Sequence, residues 1–294
     1  MGIVNKFDTL LRTITGNCRK LGFYYNYYLN KEIGGSNKNR CESLIVSLTS
    51  YGERVEKSAP LAIYSIMKQS LLPSEIVLWI DKNRWNDNNL PKAIKYLQKN
   101  GLTVQFCTDI RSYTKLVPSL KEYPDKCIVT VDDDVYYSSS MLEELYECHK
   151  MNKDAICSLH FCIVKLNKEG NIAPYDEWEE CHVVPENQNI ENKLIFPQGY
   201  GGVLYPPHVF DSSVFEMDIA KEMCPTADDV WFYCMGIKNG VQKAYPFNSK
   251  TKYYLVDMFR QALKKDRLNE ANVQVEDNNS VQLKKVLAHY KIEI

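Results

Sequence analysis

A short apolar run that ends in three adjacent aspartates places the strongest constraint on the fold of this chain. Cys127–Val131 is apolar or β-branched throughout and lacks the alternation of a half-exposed strand. This pattern is typical of a strand covered on both faces in a parallel sheet. Asp132, Asp133 and Asp134 follow directly. Because adjacent carboxylates repel one another, we expect a cation at this strand end, where open α/β sheets bind their ligands.

The same aspartates have a simpler interpretation as an acidic turn in front of a helix. Ser138–Ser140 are good N-cap residues, and acidic side chains are favoured near a helix N-terminus. These residues alone leave both interpretations open.

The composition excludes several classes of protein. The chain has 294 residues, a net charge of −1 and 45% hydrophobic residues, which are ordinary globular values and argue against a nucleic-acid-binding protein. No apolar run approaches the ~20 residues of a membrane span, and Met1–Leu11 lacks the apolar core of a signal peptide. The ten cysteines form no Cys-x-x-Cys pair, so we expect reduced thiols in a cytoplasmic protein.

The first 40 residues form a segment with its own pattern. Apolar residues recur there at helical spacing with basic residues among them: Ile3, Val4, Phe7, Leu10, Leu11 and Ile14, and Lys6, Arg12, Arg19 and Lys20. An aromatic cluster spans Phe23–Tyr28, and Gly34–Asn39 is typical of a flexible linker. We expect residues 1–40 to form a basic amphipathic segment. It would either lie in an anionic membrane interface, on the inner face of the cell membrane, or pack on the protein or a partner.

Residues 41–294 show alternating strand and helix patterns. Strands are predicted at Ser43–Thr49, Glu75–Ile80, Thr103–Cys107, Cys127–Val131 and Ala155–Val164, helices at Glu56–Gln69, Pro91–Lys99, Ser139–Met151 and Ser280–Tyr290, and an acidic loop at Tyr175–Cys181. This alternation predicts an α/β fold with a mostly parallel mixed sheet flanked by helices. Neither a Gly-x-Gly-x-x-Gly turn nor a P-loop occurs.

Two further motifs follow the aspartates. Phe196–Tyr205 carries three glycines within four positions, which indicates either close approach of the backbone to a ligand or a tight bend between two strands. Asp228 and Asp229 open a predicted helix that ends near Asn239–Gly240. Thr226 or Asp228 could simply cap that helix.

In this order, the motifs resemble those of GT-A fold glycosyltransferases, enzymes that use nucleotide sugars. Val131–Tyr136 resembles their metal-binding Asp-x-Asp element, and Phe196–Tyr205 resembles their glycine-rich segment. Ala227–Trp231 resembles the acidic-Asp-Val motif of inverting members such as the fringe and β-1,3-galactosyltransferase group. Ser47–Tyr51 and Leu78–Asp81 stand where family 2 enzymes place their nucleotide-binding loops.

The resemblance is closest to bacterial polysaccharide-assembly transferases and spans Glu42–Tyr290. It implies a GT-A (Rossmann-like) domain over residues 41–294, with a nucleotide-binding half at 41–137 and an acceptor-binding half at 138–294. The implied activity is transfer of a sugar to a glycan acceptor in capsule, O-antigen or other surface polysaccharide assembly. A lipid-linked oligosaccharide is one candidate acceptor.

The resemblance also implies roles for individual residues. Asp132 and Asp134 would hold Mn²⁺ or Mg²⁺, which prefer hard oxygen ligands, with His289 as the candidate third ligand. Asp229 would be the catalytic base with Asp228 beside it, and Asp81 implies a UDP-sugar. The expected donor-binding residues are Thr49, Tyr51, Asp81, Lys115, Asp132 and Asp133, and the expected acceptor-binding residues are Gly199, Tyr200, Gly201, Gly202 and Trp231.

Three rival classes explain the sequence less well. A sugar-phosphate nucleotidyltransferase would need a glycine- and arginine-rich loop after the first strand, and Thr49–Arg54 is poor in glycine. A phosphatase with an Asp-x-Asp nucleophile would need a small residue where Tyr136 stands. A non-catalytic carbohydrate-binding protein would explain the many tyrosines but not two acidic clusters at the ends of predicted elements.

Overall fold

The computed structural model describes residues 18–33, 39–181, 190–246, 249, 253–256 and 278–294. Most of the predicted amphipathic segment and the predicted linker therefore lie outside the described residues. The strands are β1 (Asn39–Thr49), β2 (Leu71–Asp81), β3 (Leu102–Cys107), β4 (Cys127–Thr130), β5 (Val135–Tyr137), β6 (Ile156–Ser158), β7 (Phe161–Ile163), β8 (Glu179–Cys181), β9 (Ile195–Pro197), β10 (Val203–Tyr205), β11 (Lys243–Ala244) and β12 (Tyr253–Leu255).

Helices separate most of these strands, as the alternation of patterns predicts. They are α1 (18–28), α2 (Arg54–Lys57), α3 (Ala59–Met67), α4 (Lys92–Lys99), α5 (Val117–Glu122), α6 (Met141–Met151), α7 (Met217–Met223), α8 (Asp228–Lys238) and α9 (Asn278–Tyr290). No helix among the described residues is long and apolar enough to span a membrane.

Seven strands form the central sheet, in the order β11–β6–β10–β4–β1–β2–β3. β1 is parallel to both of its neighbours, β2 and β4, and β3 is parallel to β2. Among the strands that the structure describes in this sheet, only β10 runs against its neighbours, β4 and β6. The predicted fold class, a mostly parallel mixed sheet flanked by helices, is confirmed.

The central strands are buried on both faces, as their sequences predict. Along β1, Leu44, Val46 and Leu48 face one apolar cluster, which contains α3 and α6 side chains. Ile45 faces the second cluster, which contains side chains of α8 and α9. Helices therefore cover both faces of the sheet. Polar groups can collect at the ends of the strands, which the helices leave uncovered.

Three sequence predictions are corrected by the structure. Ala155–Val164 is not one strand, because the chain leaves the central sheet after β6 and enters a small second sheet as β7. Tyr175–Cys181 contains a 3₁₀ turn and β8 rather than an open loop, and Trp178 there is buried and donates to the Ala173 carbonyl. The helix predicted at Glu56–Gln69 is two helices, α2 and α3, with Pro60 in the first turn of α3.

The explanation of the three aspartates as a helix cap is wrong. β5 lies between Asp134 and α6, and it pairs with β12 in a separate two-stranded sheet. Ser140 stands at the N-cap of α6 and its side chain makes no capping hydrogen bond. The aspartates therefore belong to the end of β4, not to the start of a helix.

Candidate active site

The predicted donor-binding residues share one edge of the central sheet. Thr49 ends β1 and Asp81 ends β2, and these strands run parallel with Thr49 paired to Trp79. Asp132 follows β4 on the other side of β1. Because the carboxyl ends of parallel strands meet at the same edge, residues far apart in sequence form one polar surface.

Arg54 forms ion pairs with two of the three adjacent aspartates. Its guanidinium lies 2.8 Å from Asp133 Oδ1 and 3.0 Å from Asp134 Oδ2. Ser50 donates to the second oxygen of Asp133 over 2.5 Å. Burial raises the pKa of Asp133 although Arg54 lowers it, and burial together with Asp133 raises the pKa of Asp134 to about 6. The cluster therefore carries more negative charge than Arg54 alone can balance.

Asp133 was predicted to bind the donor, but it faces the interior of the protein. Its side chain is buried, and both carboxylate oxygens are taken by Arg54 and Ser50. Those contacts anchor the loop between β1 and α2. Asp133 thus positions Arg54 and does not present an oxygen to a donor.

Asp132 turns towards a second set of partners. Its carboxylate lies 3.2 Å from the Lys115 ammonium. Its backbone N–H donates to the Tyr137 hydroxyl over 2.9 Å, and that hydroxyl donates to the carbonyl of Tyr200 over 3.0 Å. Tyr137 therefore links the end of β4 to the glycine-rich segment.

Lys115 joins the two acidic clusters of the sequence. It ends a 3₁₀ turn, is buried, and its Nζ lies 3.0 Å from Asp228 and 4.0 Å from Asp229 at the start of α8. Burial alone would lower the pKa of Lys115, but the attraction of Asp132, Asp228 and Asp229 outweighs it and raises the pKa well above the usual value. The lysine is thus a permanent cation between carboxylates.

The two aspartates of α8 differ in exposure. The Asp228 side chain is 9% exposed and the Asp229 side chain 30% exposed. Asp229 Oδ2 also accepts the Gly199 backbone N–H over 3.0 Å. Burial raises the pKa of Asp229 to about 7, with Lys115 opposing the shift and Asp228 adding to it. Asp229 is therefore the carboxylate that a substrate can reach and that can exchange a proton near neutral pH.

Neither Thr226 nor Asp228 caps α8. Ala227 stands at its N-cap, and no side-chain capping hydrogen bond is present there. The carboxylate of Asp228 is directed to Lys115 instead, so the acidic pair contacts the buried lysine rather than the end of the helix.

The glycine segment is a bend between β9 and β10 that must pass very close to the acidic pair. A Cβ at Gly199 would stand 2.7 Å from Asp229 Oδ1 and 2.9 Å from Lys115 Nζ, and one at Gly201 would stand 2.2 Å from the His160 ring. Gly202 has a φ of +93°, which favours glycine. A side chain at Gly199 would push the Asp229 carboxylate out of place.

Aromatic rings border the bend. The His160 ring lies 5.1 Å from that of Tyr200 and 4.8 Å from that of Tyr253. Tyr200, which was predicted to bind the acceptor, is therefore held at the bend by ring contacts and by the Tyr137 hydrogen bond to its carbonyl.

Two predicted site residues are not brought to this group. Trp231 is fully buried, donates to the Val214 carbonyl and packs on Tyr290, so its ring cannot contact an acceptor. His289 lies on α9, where its ring contacts Tyr290. Among the contacts that the structure describes for His289, none joins it to Asp132 or Asp134. Trp231 is thus a core residue, and His289 does not accompany the proposed metal ligands.

Sequence reasoning missed Ser50, Arg54 and Tyr137. The sequence could have indicated Arg54 as a site residue. A basic residue in the loop after the first strand of a parallel sheet reaches the same edge of the sheet as residues after the fourth strand. No sequence pattern indicates the role of Tyr137, since its hydrogen-bond partner Tyr200 lies far along the chain.

The carboxylates fit Mn²⁺ or Mg²⁺ by their chemistry and charge. Asp132 and Asp134 supply hard oxygens, and both side chains are partly exposed. Five aspartates surround only Arg54 and Lys115 in the contacts described above, which leaves an excess of negative charge. Within the described ranges no group of three or more His, Cys, Asp or Glu side chains could hold a metal ion. A metal ion held by Asp132 and Asp134 would need its other ligands from substrate phosphate and water.

Comparison with known proteins gives only a distant likeness. No protein-family model matches the sequence, and no curated protein matches it. Among solved structures the fold is similar to S. aureus TarS 1–349, at 16% identity and a TM-score of 0.46, over 72% of this chain and 60% of that chain. The TarS 1–349 complex with UDP-GlcNAc gives 15% identity and a TM-score of 0.49, over 84% of this chain and 65% of that chain.

The complex of TarS 1–349 with UDP gives 15% identity and a TM-score of 0.44, over 85% of this chain and 70% of that chain. This chain spans 43% of the longer TarS chain. At these identities the likeness is one of fold alone.

Proposed function

We propose that this chain is a nucleotide-sugar glycosyltransferase that inverts the anomeric centre and uses Mn²⁺ or Mg²⁺. The observation that carries the proposal is the position of Lys115, whose one ammonium lies between Asp132 at the end of β4 and Asp228 at the start of α8. Asp229, the proposed proton acceptor, lies 4.0 Å from the same ammonium, which supports the assignment of the metal-binding carboxylate Asp132 and the proton-accepting carboxylate Asp229 to one site. Sugar transfer needs both functions close together.

On the donor side, Asp132 and Asp134 would hold the metal ion, which would stabilise charge on the departing diphosphate. Arg54 holds Asp134 from the other side, and Lys115 holds Asp132. Because the site is rich in carboxylates, a diphosphate could approach it only with added positive charge. This requirement supports metal dependence.

On the acceptor side, Asp229 is the proposed base. Its carboxylate takes the proton of the acceptor hydroxyl as that oxygen forms a bond to the anomeric carbon and the bond to the nucleoside diphosphate breaks. Attack opposite the leaving group inverts the anomeric centre. The Gly199 N–H fixes one oxygen of Asp229, and buried Asp228 fixes Lys115 beside it. Asp228 is therefore a positioning residue.

A UDP-sugar is the proposed donor, with its base beside Thr49, Tyr51 and Asp81. Tyr51 is well exposed in the loop after β1, and the Arg54 guanidinium lies 5.3 Å from its ring centroid. Asp81 accepts the backbone N–H of Asn83 at the end of β2. The proposed acceptor is a glycan of a surface polysaccharide, which enters beside Tyr200 and the glycine bend.

Nucleotide release from UDP-, GDP-, CMP- and dTDP-sugars, measured with Mn²⁺, with Mg²⁺ and with EDTA, tests the proposal. We expect release from a UDP-sugar that EDTA abolishes and added Mn²⁺ restores. The Asp132→Asn and Asp134→Asn variants are also expected to lose nucleotide release from the UDP-sugar. Turnover that persists both in EDTA and in Asp134→Ala would remove the metal assignment. The absence of nucleotide release from every nucleotide sugar tested would contradict the proposed transferase activity.

A further inference from the structure

The N-terminal helix α1 is attached to the domain by one of its faces. On this inner face Phe23 is buried, with its ring centroid 5.4 Å from that of Tyr64 and 5.8 Å from that of Tyr27. Asn26 donates to the Tyr64 hydroxyl over 2.7 Å. Arg19 lies 4.1 Å from the centroid of the Tyr254 ring. These contacts fix how the helix is rotated about its axis.

The opposite face of α1 exposes a stripe of large apolar and aromatic side chains. Five side chains there are between 40% and 76% exposed, and they are more than half of the exposed large hydrophobic side chains among the described residues. This outer stripe consists of Leu21, Tyr24, Tyr25, Tyr28 and Leu29. With 3.6 residues per turn, these positions fall on one side of the helix. A contiguous exposed apolar patch of this kind marks an interaction surface.

The spacing of the outer stripe resembles the apolar spacing that precedes it in the sequence. Residues eighteen positions apart, about five helical turns, share one direction. Leu21, Tyr25, Tyr28 and Leu29 each have an apolar residue eighteen positions earlier, namely Ile3, Phe7, Leu10 and Leu11. The apolar spacing of the preceding sequence thus matches four of the five positions of the outer stripe.

Charge and residue type favour a lipid surface as the occupant. Residues 1–33 contain five basic and two acidic side chains, a net charge of +3, whereas the whole chain carries −1 and the remainder therefore −4. Lys20 and Lys31 flank the outer stripe in the sequence. Tyrosines with exposed rings are enriched at membrane interfaces, where the ring is apolar and the hydroxyl is hydrated. Basic side chains near them are attracted to anionic headgroups.

We propose that the outer stripe of α1 docks the protein on an anionic lipid bilayer, with the helix lying in the interface. The leucine side chains and tyrosine rings enter the headgroup region, and Lys20 and Lys31 beside the stripe contact lipid phosphates. The inner face keeps α1 on the domain, so docking leaves the fold unchanged. The two interpretations of the N-terminal segment, packing and membrane contact, then apply to opposite faces of one helix.

Flotation of the full chain with lipid vesicles tests this proposal. We expect it to float with vesicles of phosphatidylcholine containing about one third phosphatidylglycerol, and much less with phosphatidylcholine alone. The double variant Leu21→Gln/Tyr28→Gln should reduce the bound fraction about fivefold or more, because binding scales with the apolar area that enters the interface. The matched control Met151→Gln/Val281→Gln changes two exposed apolar side chains elsewhere and should float like the wild type.

Three results would overturn the proposal. The first is no flotation of the wild-type chain. The second is equal flotation of the stripe variant and the wild type, with both melting at the same temperature so that misfolding is excluded. The third is a dimer, detected by light scattering without lipid, that the stripe variant abolishes, because the outer stripe would then bind a second copy. Vesicle binding is measured without any sugar donor, so its failure is separate from failure of the proposed activity.

Discussion

The ammonium of Lys115 lies 3.0 Å from the Asp228 carboxylate. Since the same ammonium also contacts Asp132, a buried cation holds the end of β4 against the start of α8. Removing one partner of a buried ion pair is far more damaging than removing a surface pair, because the remaining charges keep their desolvation cost.

Replacing Lys115 by Met should therefore destabilise the fold by about 3–5 kcal/mol and abolish sugar transfer. Urea denaturation at pH 8 measures the stability. Lys121→Met, which removes an exposed lysine of α5, is the control and should change stability by less than about 0.5 kcal/mol. A Lys115→Met protein as stable as the control would show that the ammonium is not the counter-ion of the two clusters.

Asp229→Asn should lower the transfer rate by about 10²–10⁴-fold while donor binding is retained. The amide oxygen can still accept the Gly199 N–H, so the local structure is kept. Single-turnover kinetics and nucleotide titration separate the two effects. An Asp229→Asn enzyme that turns over like the wild type would remove Asp229 as the base.

The pKa of Asp229, about 7, determines two pH dependences. The base must be ionised, so the rate should rise with pH and level off above about 7. The folded-state pKa is raised above the unfolded value of about 3.9, so the folded state binds the proton more tightly. The contribution of Asp229 to stability is therefore lost as pH rises from about 4 to 7.

Urea denaturation of the wild type and Asp229→Asn at pH 5 and pH 8 tests the second dependence. The variant should gain stability relative to the wild type on going to pH 8, on the order of 2–3 kcal/mol. Equal pH dependence in both proteins would contradict the raised pKa.

Gly199→Ala should reduce the rate about 10²-fold, since its methyl group would displace Asp229 and small misplacements of a catalytic group are costly. The KM for donor should change less than the rate, because Thr49, Tyr51 and Asp81 at the ends of β1 and β2 are untouched, although Lys115, 2.9 Å from the new Cβ, joins the donor side to the bend. Gly22→Ala is a matched control on α1, where the nearest atom would be 3.8 Å from the new Cβ. Unchanged kinetics in Gly199→Ala would mean that the bend can move without disturbing the base.

Arg54 and a divalent cation should compete for Asp134. We expect Arg54→Gln to bind Mn²⁺ roughly tenfold more tightly in the absence of donor, because a charge-assisted contact to Asp134 no longer has to be broken. Isothermal titration calorimetry measures this affinity directly. Arg84→Gln, whose exposed guanidinium lies 3.9 Å from Asp81, should leave it unchanged. Equal affinity in Arg54→Gln and the wild type would argue that metal and arginine use different sites.

The sequence by itself determined four strands of the central sheet, β1 to β4, and, to within one residue, the places where they end. Burial on both faces appears in the composition of Cys127–Thr130, and the alternation of strands and helices follows from periodicity. It also placed Asp132 after β4 and Asp229 in the first turn of α8. Such features are local, so a linear pattern reports them.

Only the tertiary structure decided which side chains meet. The order of strands in the sheet brings Arg54 to Asp133 and Asp134, and it turns Asp133 inwards, although the three aspartates look equivalent in sequence. The rotation of α8 buries Trp231, although it stands two residues after Asp229. The rotation of α1 exposes its apolar stripe. Pairings between distant residues and the direction of each helix face depend on the packing of the whole chain, which no local pattern contains.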